Sequence, residues 1–232
     1  MQPINTEVLQ ILQKEGKVTL GFSTGKDSLA CALLLKKIGI DFIPFFFYHC
    51  PELKFVNDNI KMYEDLLQIE VVQMPHPMLY DYLRHQDFQA PEMIYHLEDT
   101  GLVKAHFSDM INIYLDSIGD IRNYYDIIGQ RASESFNRRM VFKKQGFINH
   151  KEKKISLIAD WTEKDVLKFL SGENIPLTKD YNIWNRSFDG LKYQFLFGVK
   201  ENYPNDWQIL KEYFPLIEIE LFRYKQNKKY FA

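Results

Sequence analysis

Cysteine is nearly absent from this chain: Cys31 and Cys50 are the only two in 232 residues, and there is no CxxC pair. Two thiols build no disulfide framework, and without paired cysteines neither an iron–sulfur cluster nor a structural zinc site is expected. Long apolar runs are missing too. None approaches the roughly 18 residues that span a bilayer, so no membrane partner is expected. The opening MQPINTEVLQ lacks the basic and then apolar plan of a signal peptide, which makes the cytoplasm the expected location. Neither charge is in excess, and a formal net charge of −2 supplies no global pull toward nucleic acid or an anionic surface. Repeats and low-complexity linkers are also lacking. Aromatic residues, by contrast, make up 15% of the chain, which predicts a bulky core with rings to spare for a ligand site. The length fits one or two soluble domains.

The remaining pattern is an alternation. Val18–Phe22 reads as a short buried strand and Asp27–Ile38 as a helix apolar nearly all round. Phe45–Tyr48 reads as a second strand opened by Pro44, because proline inside a central strand removes a ladder bond. A helix over Glu52–Leu67 and a third strand over Ile69–Gln73 follow. Past an irregular stretch, the spacing predicts a helix over Phe107–Ile118, a strand over Asp126–Ile128, a helix over Ser133–Met140 and a strand over Ile155–Ile158. In WTEKDV, Thr162 and Asp165 have the spacing of a capping box, with Trp161 and Val166 placed as a hydrophobic staple. A last helix is expected over Asn205–Tyr213, and the tail Arg223–Lys229 is basic and reads as solvated or as an interaction arm.

Strands alternating with helices imply right-handed crossovers and a Rossmann-like parallel sheet of about five strands, covered on both faces. Such sheets bind ligands at the carboxyl ends of their strands, where the order reverses. That rim would carry Ser23–Ser28, Tyr48–Glu52, Met74–Pro77 and Gly129–Arg131.

One stretch on the rim has chemistry of its own. GFSTGKDSLA, Gly21 to Ala30, nearly spells a Walker A loop, but only three residues separate Gly21 and Gly25, and Asp27 stands where the magnesium-binding hydroxyl belongs. A strand leading through small polar residues into a helix start still suits an anion, through backbone N–H groups and the positive end of the helix dipole. Gly25 would permit positive φ and close approach. Ser23, Thr24 and Ser28 bring hydroxyls, and Lys26 brings a cation. Asp27 would repel a bare phosphate, so it either caps the helix or holds Mg²⁺ against the phosphates. The plainer reading is an ordinary αβ turn with a capping side chain.

STGKDS resembles the PP-loop, SxGxDS, of the adenine nucleotide α-hydrolases. More of the chain resembles one branch, the phosphoadenosine-phosphosulfate (PAPS) reductase-like proteins with their phage- and plasmid-borne members. CPEL with Phe55, MPHPMLYDYL, FQAPE, GQRASESFNRR and IADW followed by TEKDV carry the likeness, from about Val18 to Tyr193. The resemblance implies an adenine nucleotide, ATP or PAPS, with its phosphates over Ser23–Ser28. It implies that Gly129 keeps the floor open, that Arg131 points its guanidinium at a phosphate or sulfate, and that Glu134 orients Arg131. Arg138 or Arg139 would add a second cation, Arg139 being more simply a solvated residue. Residues 1–175 would form the nucleotide-binding α/β domain and 176–232 a mostly helical extension packing on or near the site.

The likeness also has departures. PAPS reductases attack sulfonate with a cysteine near the C-terminus, in a motif like ECGLH, and this chain has no cysteine after Cys50. Its loop is intact, as in ATP-using relatives such as the small subunit of ATP sulfurylase and phosphorothioate DNA-modification proteins. The leading expectation is therefore an enzyme acting at the α-phosphate of ATP with Mg²⁺, releasing pyrophosphate or transferring adenylate, through Lys26, Asp27 and Arg131. A PAPS or adenylyl-sulfate reductase, or a sulfotransferase, drawing its thiol from a partner or from Cys50 is the alternative. A non-catalytic nucleotide-binding subunit of a DNA-modification or defence system is the third. A protein partner or homodimer is compatible with each, direct DNA binding is not expected, and a phage origin would place the protein in the host cytoplasm. Cys31, Tyr80, Trp161 and Trp184 read as packing; His49 and Cys50 are too few for zinc, and His76 reads equally as a ligand contact or a rigid-turn residue.

Overall fold

Val18 and Leu20 are fully buried in their short strand, because the sheet they enter is covered on both faces. The computed structural model describes residues 4–93, 101, 103–120 and 122–231. The side chains of Lys225, Lys228 and Lys229, which carry most of the basic tail, lie outside the described residues. The chain runs α1 (Thr6–Glu15), β1 (Lys17–Gly21), α2 (Lys26–Lys37), β2 (Asp41–Tyr48), α3 (Lys54–Leu67) and β3 (Val72–Pro75). It continues α4 (Pro77–Arg84), α5 (Phe107–Ser117), β4 (Asp126–Ile128), α6 (Phe136–Gln145), β5 (Ile148–Asn149) and β6 (Lys154–Ser156). Then follow α7 (Glu163–Gly172), α8 (Asp180–Trp184), α9 (Tyr193–Asn202), α10 (Pro204–Tyr213) and α11 (Glu218–Phe231).

The strands form a six-stranded sheet in the order β3-β2-β1-β4-β6-β5. β1 runs parallel to β2 and to β4, and β4 parallel to β6, while β5 turns back antiparallel on β6. This is the Rossmann-like α/β arrangement the alternation predicts, with one antiparallel edge strand added and a helical C-terminal region.

Four details differ from the sequence pattern. Pro44 lies inside β2, opposite Leu20, rather than opening it. The N–H of Phe22 donates to the carbonyl of Phe45 at 2.8 Å, so residue 45 faces β1 and the nitrogen of Pro44 faces away from it. The proline therefore costs no bond to β1. The third strand starts at Val72 because Gln68 takes φ 50° and the Val71 N–H is held by Glu64 Oε1 at 2.8 Å. The helix foreseen over Ser133–Met140 starts instead at Phe136, after a 3-10 turn over Ala132–Glu134, because Ser135 caps it by accepting from Arg138 N–H at 3.1 Å. The last strand is shorter than foreseen, and its hairpin with β5 carries no alternation long enough to signal it.

Two compact units share the chain. The first comprises Met1–Phe46, Met62–Val72 and Ile121–Thr178. Its core joins Phe22 edge-on to Tyr63 at 6.4 Å and Trp161 edge-on to Phe169 at 5.3 Å. α2 buries seven of its residues, from Ser28 to Leu35. α7 starts on the foreseen capping box, with Asp165 Oδ2 accepting from the Thr162 N–H at 2.8 Å, and Trp161 and Val166 both buried.

The second unit comprises Phe47–Lys61, Gln73–Asp120 and Lys179–Ala232. An aromatic cluster fills it: Phe55 stacks on Tyr203 at 4.4 Å, and Trp184, Phe188 and Phe195 meet one another at 5.6 to 5.9 Å. Buried Asp206 caps α3, one oxygen accepting from the Lys54 N–H and the other from Phe55 N–H at 3.4 Å. A carboxylate borrowed from α10 thus satisfies donors that a local cap leaves open.

The pairing of β1 with β4 places Asp126 beside Thr19, whose hydroxyl donates to Asp126 Oδ1 at 3.1 Å. Burial raises the Asp126 pKa to about 6 against the lowering pull of Thr19 and Lys154. The native chain then holds this proton to a higher pH than the unfolded chain does. The stability it contributes is present below about pH 4 and lost as pH rises through about 6. Asp126→Asn is expected to remove that loss, gaining about 1–2 kcal/mol over wild type at pH 7 and little at pH 4. Urea unfolding at the two pH values checks it.

Candidate active site

From the neighbouring strands β1 and β4 the sheet order departs in opposite directions, which puts the switch point between Gly21 and Ile128. The loop after β1 is shaped by its own hydroxyls. Ser28 Oγ donates to the Gly25 carbonyl at 2.9 Å and accepts from the Ser23 N–H at 3.2 Å, with Ser23 Oγ 3.4 Å away. Thr24 Oγ1 donates to the Ser23 carbonyl at 2.6 Å. The left-handed conformation expected of Gly25 belongs to Thr24, at φ 57°, whereas Gly25 sits at φ −80°, ψ 155°, open to any residue. Gly25 is the N-cap of α2 and, lacking a side chain, offers its first amides no capping bond.

Asp27 does not cap the helix. It lies in the first turn of α2 and meets Arg131, the residue that follows β4 by three. Arg131 is 5% exposed; its Nε donates to Asp27 Oδ1 at 2.7 Å and a terminal nitrogen reaches Oδ2 at 3.5 Å. The other terminal nitrogen donates to Ser133 Oγ at 3.2 Å, and the one near Oδ2 also lies 3.5 Å from Glu134. Ser133 Oγ in turn donates to the Trp161 carbonyl at 3.1 Å. Glu134 also pairs with Arg138. Lys26 Nζ stands 3.1 Å from Asp27 Oδ2 and 3.4 Å from Glu163 on α7. Three cations (Lys26, Arg131, Arg138) thus alternate with three carboxylates (Asp27, Glu134, Glu163). Glu163 is absent from the sequence-derived set, and the only signal for it was its place in the first turn of a capped helix. Arg139 is exposed and has no part in this network.

Gly129 has a tighter role than leaving a floor open. A Cβ there would stand 3.0 Å from the backbone carbon of Asp27 and 3.2 Å from its carbonyl oxygen. Glycine lets the end of β4 touch the start of α2, which is what brings Arg131 within reach of Asp27.

The remaining rim residues fall in the second unit. Tyr48 closes β2, and burial, with Tyr80 and Tyr213 nearby, raises its pKa. His49 and His76 stack at 4.0 Å, and His49 Nε2 lies 3.8 Å from Asp189. Burial and His49 push the His76 pKa down to about 4, and its Nδ1 accepts from the Met78 N–H at 3.0 Å as the cap of α4. Cys50 is buried, and burial reinforced by Glu52 and Asp206 pushes its thiol up to about 12. Burial thus disfavours the reactive thiolate at neutral pH. Cys31 is core, its thiol also raised by burial. Trp161 and Trp184 pack, as expected of them.

Asp27 is the carboxylate through which a magnesium ion could be held. Among the described residues no three His, Cys, Asp or Glu side chains come together as a ligand set. Magnesium needs fewer, because one carboxylate and a substrate's phosphates are its usual anchors. Asp27 Oδ1 is committed to Arg131, while Oδ2 faces only the looser 3.1 and 3.5 Å contacts. The residues present therefore fit one carboxylate bond to the ion, and no more.

Residues 17–187 match the phosphoadenosine phosphosulfate reductase domain, and the chain belongs to that PP-loop family. No curated protein matches it. Among solved structures it is similar to the NH3-dependent NAD synthetase from Campylobacter jejuni subsp. jejuni NCTC 11168 in complex with the nitrate ion. The two share 12% identity over 93% of each chain, with a TM-score of 0.44. No helix among the described residues is long and apolar enough to cross a membrane.

Two outcomes check this geometry. Gly129→Ala is expected to force β4 and α2 apart and to cost about 1–3 kcal/mol in urea unfolding; wild-type stability would contradict the contact. Both cysteines are expected to resist Ellman's reagent at pH 7.5 until the chain is unfolded. Rapid native labelling of one thiol would return Cys50 to consideration.

Proposed function

We propose that this protein binds ATP through the loop Ser23–Ser28 and acts at its α-phosphate, releasing pyrophosphate or passing adenylate to an acceptor. The observation that carries the reading is the buried Arg131, fixed at the switch point against the first turn of α2. Family membership makes an adenine nucleotide the natural ligand. The raised pKa of Cys50 and the missing C-terminal cysteine count against a thiol mechanism built into this chain.

In this reading the uncapped amides of α2 bind the leaving pyrophosphate, with the helix dipole adding to their pull. Lys26 turns from Asp27 and Glu163 to the phosphates, exchanging two carboxylate partners for a more concentrated anion. Arg131, held by Asp27 and Glu134, faces the α-phosphate and stabilises charge as an acceptor approaches in line. A magnesium ion on Asp27 Oδ2 would supply charge neutralisation for the pyrophosphate. No protein nucleophile is required, because positioning and electrostatics carry transfers of this kind. Cytoplasmic placement accords with such a nucleotide.

The family name favours one other reading: PAPS or adenylyl sulfate as the nucleotide, with a partner's thiol as reductant. Products separate the two, pyrophosphate from ATP against sulfite in the presence of a dithiol partner. Calorimetry with a non-hydrolysable ATP analogue and with PAPS, plus a pyrophosphate assay, is the test. Gly25→Val is expected to weaken nucleotide binding at least tenfold; its backbone angles suit valine, so a loss reports blocked approach rather than misfolding. Full affinity in that variant would overturn the cradle.

A further inference from the structure

The helix that follows the site buries none of its residues. α6 reads FNRRMVFKKQ, with four cations and no carboxylate. At 100° per residue, Phe136, Arg139, Met140, Lys143 and Lys144 share one face, the two apolar residues in the middle and cations on either side. Phe136 is 71% exposed and Met140 50%. Arg139, Lys143 and Lys144 are exposed and make no ion pair among the described residues, in contrast to the neutralised cations of the site. The helix is held from its ends: Ser135 caps the start, and Gly146 at φ 73° returns its N–H to the Phe142 carbonyl at 2.9 Å. On the opposite side Phe142 meets Phe147 edge-on at 5.8 Å.

A ten-residue helix with no buried side is marginal by itself, and an exposed phenylalanine ringed by unpaired cations is a poor solvated face. It is a good surface for an anionic chain that also has flat apolar rings. We propose that the Arg139–Phe136–Lys144 face of α6 is a docking surface for single-stranded nucleic acid. The cations take phosphates, and the Phe136 ring takes an unpaired base by stacking. A membrane fits less well, because Val141 and Phe142 lie off this face and leave no segregated apolar side to sink into lipid. A net charge of −2 predicts no such partner, but that sum averages an acid-rich remainder with this acid-free helix. The surface stands on its own whether or not the loop binds ATP. Since α6 begins five residues after Arg131, a strand lying on it would run beside the nucleotide site of its own unit.

The test is fluorescence anisotropy of the full chain with a labelled mixed-sequence 20-mer of single-stranded DNA, titrated across salt. Three phosphate contacts predict a log–log salt slope of about −2. The double variant Lys143→Gln/Lys144→Gln is expected to flatten that slope by about 1.4. Phe136→Ala is expected to weaken binding severalfold without altering the slope. These positions are exposed, and circular dichroism confirms that the variants stay folded. No binding at about 50 mM salt, equal affinity in the double variant, or a duplex bound as tightly as the single strand with no effect of Phe136→Ala would each overturn the proposal. Binding only to anionic lipid vesicles would overturn it as well.

Discussion

The bond between Arg131 and Asp27 ties the end of one strand to the start of the helix that follows its neighbour. A guanidinium taken out of water costs several kcal/mol unless its donors are met, and here they are met by three residues, Asp27, Ser133 and Glu134, with Ser133 in turn fixed by the Trp161 carbonyl. Much of the local structure follows from satisfying it. Glycine is required at 129 so that β4 can approach Asp27 closely enough. The 3-10 turn over Ala132–Glu134 curls Ser133 and Glu134 back onto the arginine they follow. The Ala132 N–H anchors that turn to the Ala159 carbonyl at 2.7 Å, next to the start of α7.

The same satisfaction sets the terms for a ligand. Lys26, Arg131 and Arg138 each already have a carboxylate partner, so these three cations do not form an open positive patch. In the proposed reading, an incoming polyanion would have to replace bonds that exist, and acceptance from the backbone amides of α2 would offset that loss. Thr24, not Gly25, takes the left-handed conformation in this loop. A β-branched residue at φ 57°, with its hydroxyl bonded to the Ser23 carbonyl at 2.6 Å, is a strained position within this loop.

The sheet and the loop were legible because each rests on local signals. Small polar residues between an apolar strand and an apolar helix, and a Thr–Asp capping box, act within a few residues of themselves. What escaped depended on partners far along the chain. Pro44 could sit inside β2 only because its missing N–H points away from β1, which no local pattern records. Gly25 looked like the residue needing left-handed freedom, yet the turn passes that conformation to Thr24. Glu163 joined the site through the packing of α7 on α2, and α11 shows no apolar periodicity because its two apolar and polar sets are not segregated.

Charge in this chain is unevenly distributed. In the first unit, cations near the loop are locked against carboxylates at 2.7 to 3.5 Å, while Arg139, Lys143 and Lys144 on α6, unlike Arg138, pair with no acid among the described residues. Locked cations are pre-positioned, and they act only on a ligand able to displace what holds them, which favours discrimination. Free cations on an exposed helix act at a distance and on any anionic chain, which favours capture. Four residues separate Arg131 from Phe136, so the two arrangements adjoin each other while differing in kind. A helix that served only to cap the fold would need neither the exposed ring nor the absence of acids, and both accord with the proposed docking of a nucleic-acid strand.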